Sequence, residues 1–203
     1  MPKNTYYKIP KEKQIKIIKA GEDLFSEHYY ENVDVKMIVN EAMIPRGSFY
    51  AYFENIHDFY KTVVKSLQEN RINEMETIIK DSNPSFFNAL IRLFKKDITA
   101  SIKSKKKLLI QHYFRYIITQ NLGYSKSHLN EKERPIYRVL DHYKSEFKLS
   151  DSEWDDFLEL TMNTYLMTYM KSIDDQLSIN ESINLLESRF KILERGIKWL
   201  QYH

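Results

Sequence analysis

The chain has 203 residues and 42% hydrophobic content, enough to bury a substantial core in one large domain or in a small one joined to a larger one. It contains no cysteine, which excludes disulfides, a thiol nucleophile and cysteine-ligated zinc or iron–sulfur centres. A formal net charge of +3 announces no bulk attraction to nucleic acid, and neither a signal-peptide core nor a run of about 18 apolar residues is present, so a cytoplasmic protein without membrane contact is expected.

Only four glycines and five prolines occur, and alternating strand-like runs are absent, so the expected fold class is all-α with about nine helices. The first helix is expected from about Pro10 to Tyr29, preceded by a lysine-rich arm. Residues 1 to 20 carry six lysines against Glu12 alone, whereas residues 21 to 60 carry Lys36 and Arg46 against eight acids. Gly21 interrupts this helix at a cost of about 1 kcal/mol relative to alanine, which close packing against a neighbouring helix would explain. Asp34 is a suitable N-cap for a short second helix in which Val35, Ile38, Val39 and Ala42 recur at helical spacing. That run stops at Met43-Ile44-Pro45, and proline suits the first turn of a third helix. There Phe49 and Phe53 share one face, while Arg46 and Tyr50 share another.

A fourth, long helix is expected after Asn55, with Asp58 in its first turn, running toward Lys80 and linking two units. Asn83-Pro84 signals the start of a fifth, which carries Phe86, Phe87, Leu90, Phe94, Ile98 and Ile102 and ends at the cluster Lys103, Lys105, Lys106 and Lys107. A sixth, with Leu109, Tyr113, Tyr116 and Ile117, is expected to stop at Gly123, followed by a polar loop over residues 124 to 134 and a seventh helix from Pro135 to Phe147. Ser150 with Glu153, and Ser178 with Glu181, read as capping boxes before two long terminal helices. The eighth is apolar almost all round. The ninth repeats Ile179, Ile183, Leu186, Phe190, Leu193, Ile197 and Leu200 in the three-and-four spacing of a helix-bundle seam.

The stretch from Asp34 to Tyr60 resembles the helix-turn-helix of the TetR family of bacterial transcriptional regulators. Gly47-Ser48-Phe49-Tyr50-Ala51-Tyr52-Phe53 matches that family's most characteristic run, and Ile17, Ile18, Ala20, Leu24 and Phe25 stand where its first helix carries core residues, so the resemblance covers residues 10 to 62. It implies a helix-turn-helix DNA-binding domain over 1–54 and an effector-binding and dimerisation domain over 55–203. It also implies a ligand-responsive homodimeric repressor that binds double-stranded operator DNA and a small-molecule effector, with no cofactor, metal or catalytic residue. Arg46 is the candidate for base reading, because a guanidinium can bond guanine O6 and N7 together. Lys36 matches a position reaching a base or a phosphate. Ser48, Tyr50 and Tyr52 match positions that bond phosphates and set register. Gly47 permits close backbone approach beside Ala51, and Lys11 stands for the basic arm.

Dimer contacts are expected from Trp154, Leu158, Tyr165, Ile183, Phe190, Leu193 and Ile197, and effector contacts from Phe87, Tyr113, Tyr116, Tyr165 and Tyr169. Three departures from the family pattern stand out. Tyr29 and Met43 replace usual glycines, so both turns are expected to form without a residue that adopts the left-handed region freely, and Ile56 replaces a phosphate-binding lysine. Two alternatives remain open on sequence: a helical binding protein that has lost DNA binding, and a helical metalloenzyme using His142 and Glu146, four apart beside Asp141.

Overall fold

The computed structural model describes residues 2–122 and 135–202; Gly123 and the polar segment 124–134 lie outside the described residues. The regular structure described is all helical: α1 (Asn4–Lys8), α2 (Lys11–Glu27), α3 (Val35–Glu41), α4 (Arg46–Tyr52), α5 (Ile56–Ser82), α6 (Phe86–Lys103), α7 (Lys107–Leu122), α8 (Pro135–Leu140), α9 (Asp151–Asp174) and α10 (Ile179–Tyr202). The all-α expectation holds. The short α1 is an addition to the nine expected helices. Contacts divide the chain into one unit of Met1–Asn70 with Ala100–Tyr113, and a second of Arg71–Thr99 with Phe114–His203.

The first unit is built on an aromatic centre. Ile17, Phe25, Ile38, Phe49, Phe53, Phe59 and Val63 are all fully buried, and the rings of Phe49, Phe53 and Phe59 lie 5.1 to 6.0 Å apart in tilted and edge-on pairs. A methyl group on Gly21 would lie 2.5 Å from Val63 Cγ2 and 2.6 Å from Phe59 Cζ, so this glycine is required by the close passage of α2 against α5. Asn55 Oδ1 accepts from the Asp58 N–H at 2.9 Å and starts α5.

In the second unit, Phe86, Trp154 and Phe157 form an aromatic cluster with Phe147, and the Trp154 indole N–H reaches Asp141 Oδ1 at 2.7 Å. Both capping boxes form: Ser150 Oγ and Glu153 exchange hydrogen bonds at the start of α9, as do Ser178 and Glu181 at the start of α10. Two boundaries differ from expectation. Asn83 does not open α6; at φ 36° it closes α5, donating its N–H to Ile79 O at 2.8 Å, and α6 begins at Phe86. The helix expected through Phe147 ends at Leu140, and Asp141–Glu146 winds as a 3-10 helix. At three residues per turn, His142 and Glu146 do not share a face, and His142 Nε2 lies 3.2 Å from Asn83 Oδ1 instead. Among the described residues no cluster of histidine and carboxylate side chains suits a metal ion.

Candidate nucleic-acid interface

α3 starts where Asp34 Oδ1 accepts the Met37 N–H at 2.8 Å. It ends in a bond from the Ile44 N–H to Val39 O, 3.0 Å, that encloses a second, from the Met43 N–H to Asn40 O, 3.2 Å. This nested pair is the Schellman arrangement, which puts its C′ residue in the left-handed region. Met43 occupies that place with φ 51° and is 90% exposed, while Ile44 and Val39 bury beneath it. With no glycine here, the turn is built with a left-handed methionine, because α3 cannot satisfy its last carbonyls in this geometry otherwise. Tyr29, with a φ of −65°, leads into a 3-10 turn over Tyr30–Asn32.

Pro45 precedes α4 with extended ψ of 145°, and the helix follows from Arg46. Phe49 turns inward, whereas Arg46, Gly47, Tyr50 and Ala51 are exposed and Ser48 is half-buried. The Arg46 guanidinium lies 5.9 Å from the Tyr50 ring centre, so the two share one outward face. No atom lies within 4 Å of where a Gly47 methyl would stand. Lys36 is exposed on α3, and Lys11 is exposed at the start of α2, with its ammonium 3.4 Å from Gln14 Oε1. Tyr52 sits differently: it is only 8% exposed, its ring edge-on to Tyr6 at 6.3 Å and beneath the Lys13 ammonium at 5.7 Å. Its ring therefore belongs to the packing around α1.

The segment before α2 is what sequence reasoning missed. The Lys3 N–H donates to Tyr52 O at 2.8 Å, its ammonium to Tyr50 O at 2.8 Å, and the Thr5 hydroxyl to Ala51 O. These carbonyls are the last of α4 and have no partner inside it, so residues 3 and 5 cap α4 from 46 or more positions away. A lysine there also meets the negative end of the helix dipole. The one sequence signal was Tyr6, an apolar ring inside a lysine-rich arm. It is 5% exposed against Tyr52 and Phe53, and burial, then the neighbouring Tyr7 and Glu69, push its pKa up to about 12.

The residues expected to bind an effector divide between the two units. Tyr113 falls in the first unit and the others in the second. Tyr165 and Tyr169 are fully buried, Tyr116 is half-buried, and half-buried Phe87 borders a groove of about 420 Å³ with Phe147 and Phe190. The centre of the second unit is polar: Arg71 Nη2 and Nε bond Asp97 Oδ2 at 2.7 and 3.0 Å, and the Tyr165 hydroxyl donates to Asp97 Oδ2 at 2.5 Å. Burial, then the Asp97 carboxylate, hold the Tyr165 hydroxyl well above its ordinary pKa, so it remains a neutral donor. Of the residues expected at a dimer contact, Trp154, Leu158, Tyr165, Phe190 and Ile197 are buried within the chain, and Ile183 and Leu193 are half-buried. The exposed large apolar side chains of the terminal helices are Leu160, Met167, Ile192 and Trp199.

Residues 17–63 match the model of the family described as bacterial regulatory proteins, tetR family. The chain carries a TetR-family DNA-binding domain. It is accordingly a DNA-binding transcription regulator. No curated protein matches it. Solved structures share its fold over nearly its whole length. A putative transcriptional regulator from Pseudomonas aeruginosa PAO1 is 13% identical with a TM-score of 0.60, covering 95% of this chain and 96% of its own. The regulator FadR from Bacillus subtilis, solved in complex with stearoyl-CoA, is 18% identical with a TM-score of 0.55, covering 85% of this chain and 95% of its own. A TetR regulator from Rhodococcus sp. RHA1 is 11% identical with a TM-score of 0.58, covering 92% of this chain and 99% of its own. No helix among the described residues is long and apolar enough to cross a membrane.

Proposed function

We propose that this regulator acts as a cytoplasmic, ligand-responsive homodimeric repressor whose α4 enters the major groove. The observation that carries the reading is the outward face of α4, where Arg46, Gly47, Tyr50 and Ala51 stand exposed while Phe49 anchors the helix from behind. Arg46 reads a guanine. Lys36, Lys11, Ser48 and Tyr50 contact phosphates and fix register. Tyr52 contributes by holding α4.

A second copy docks on the exposed strip of Leu160 and Met167 on α9 and Ile192 and Trp199 on α10, each pair seven residues apart and so on one helix face. This assignment replaces the inward-facing Trp154, Leu158, Tyr165, Phe190 and Ile197, which already serve the core. The effector is apolar or amphiphilic and enters the groove beside Phe87, on the side of α10 away from that strip. A stearoyl-CoA complex of a protein with the same fold is compatible with such a ligand.

Selection of bound duplexes from fragmented genomic DNA tests the reading. The expected product is a two-fold symmetric site with half-sites about 34–36 Å apart, and Arg46→Ala should relax preference at one base pair per half-site. Equal weak affinity for every duplex would remove sequence-specific recognition. Ile192→Glu should yield monomers by analytical ultracentrifugation; an unchanged dimer would move the interface elsewhere.

A further inference from the structure

The first unit contains a groove of about 500 Å³ that reading DNA with α4 leaves unexplained. Its walls come from α1, α2 and α5, with Lys106 at one edge. Tyr7 and Ile15 line it and are 53% and 65% exposed, an unusual outlay of apolar surface for one short stretch of chain. Lys11, Lys19 and Lys65 line it as well. Lys106 is bound to the nearly buried Glu22 at 2.5 Å, and Lys65 lies 3.9 Å from Glu69, which leaves Lys11 and Lys19 with no carboxylate partner among the described residues. Tyr6 completes the lining. It is 95% buried, and its hydroxyl meets no acceptor among the described residues. A ligand oxygen accepting from this hydroxyl would take the place of water there.

We propose that this groove binds a small amphiphilic anion, with its carboxylate or sulfonate between Lys11, Lys19 and the Tyr6 hydroxyl and its apolar body against Tyr7 and Ile15. The neighbouring carboxylates and the raised pKa of Tyr6 agree with an un-ionised phenol that donates to the anion.

The site is coupled to α4 through α1. One side of Tyr6 faces this groove, and its ring also packs on Tyr52 and Phe53, while Lys3 and Thr5 on the same segment cap the last carbonyls of α4. An anion that accepts from Tyr6 where it already stands holds α1 on α4 and leaves the geometry of the reading helix unchanged. Ligand and operator therefore change each other's affinity by the same factor, with α1 holding α4 in favour and the shared Lys11 against. That last step rests on the DNA-binding reading; the site itself does not.

The full-length protein is titrated with 8-anilinonaphthalene-1-sulfonate followed by its fluorescence. Saturable binding is expected, weakened about tenfold in a Lys11→Gln, Lys19→Gln double variant and unchanged in Lys95→Gln, whose exposed side chain lies in the second unit. Displacement by 2-naphthoate but not by inorganic phosphate is expected. Equal binding by the double variant, or equal displacement by phosphate, would overturn the proposal. Amide hydrogen exchange over residues 4–8 should slow when the probe is bound, and unchanged or faster exchange would refute the role of α1 without reference to DNA. If the probe binds as described but no duplex is selected, the regulatory reading fails and the anion site stands.

Discussion

Gly21→Ala is the substitution whose sign depends most on tertiary structure. Helix propensity alone favours alanine by about 1 kcal/mol in the interior of α2. Against that gain, the new methyl would stand 2.5 Å from Val63 Cγ2 and 2.6 Å from Phe59 Cζ, both inside van der Waals contact. Neither neighbour can withdraw. Val63 is β-branched and fully buried, and Phe59 is enclosed by Phe25, Phe49 and Phe53 at ring distances of 6.1, 6.0 and 5.1 Å. Overpacking of this kind costs about 1–3 kcal/mol, so the net change is a destabilisation of about 1 kcal/mol. Gly47→Ala, in the same unit but facing open space, is the control and should stabilise by up to about 1 kcal/mol. Urea unfolding followed by far-ultraviolet circular dichroism reads both, and a shift in midpoint of roughly 0.3–1 M in opposite directions is expected. If both alanines stabilise, the close passage of α2 and α5 is wrong.

Met43→Gly should stabilise the first unit by about 0.5–1 kcal/mol, measured by the same urea titration, because it relieves a left-handed methionine whose exposed side chain contributes no packing. Asp97→Asn should destabilise the second unit by about 3–5 kcal/mol, read by fluorescence of Trp154 and Trp199, since it removes the part-buried carboxylate that Arg71 Nε and Nη2 bond. Tyr6 has a folded pKa raised above its unfolded value of 10.0, so the stability linked to its neutral form is complete below pH 10 and is lost as pH rises toward about 12. Tyr6→Phe should flatten that window in thermal melts compared with the native chain; an identical pH dependence would show that the phenol does not titrate there.

Local chemistry made most of the elements legible. Asp34, Asn55, Ser150 and Ser178 are caps whose partners lie three residues away, so sequence spacing alone identifies them. The inward face of α4 was equally plain, because Phe49 and Phe53 repeat at the helical period. What escaped depends on partners distant in the chain. Nothing local says that Lys3 and Thr5 will cap α4, or that Asn83 will close one helix and not open the next. The seam of α10 is ambiguous for a related reason: a heptad pattern shows that a face is buried but not against what. Here Phe190 and Ile197 turn into their own chain, and the strip left outside is Leu160, Met167, Ile192 and Trp199.

The charge distribution acquires a meaning through these distant contacts. The lysine-rich arm first reads as a phosphate-binding tail, yet the Lys3 ammonium is bonded to Tyr50 O, Lys13 lies over the Tyr52 ring, and Lys106 is paired with Glu22. Lys3, Lys13 and Lys106 thus serve the internal order of the first unit, and residues 21 to 60 carry eight acids against Lys36 and Arg46. A helix-turn-helix with this acidic balance gains little from general attraction to the duplex, which scales with the phosphates it neutralises. On the reading proposed above, it depends on presenting Arg46 in a fixed place. A helix of seven residues is too short to hold itself, and α4 is fixed from outside at both ends: by Pro45 and the turn at Met43 before it, and by Lys3 and Thr5 after it. The segment around α1 is therefore as much a part of what positions α4 as the turn before it.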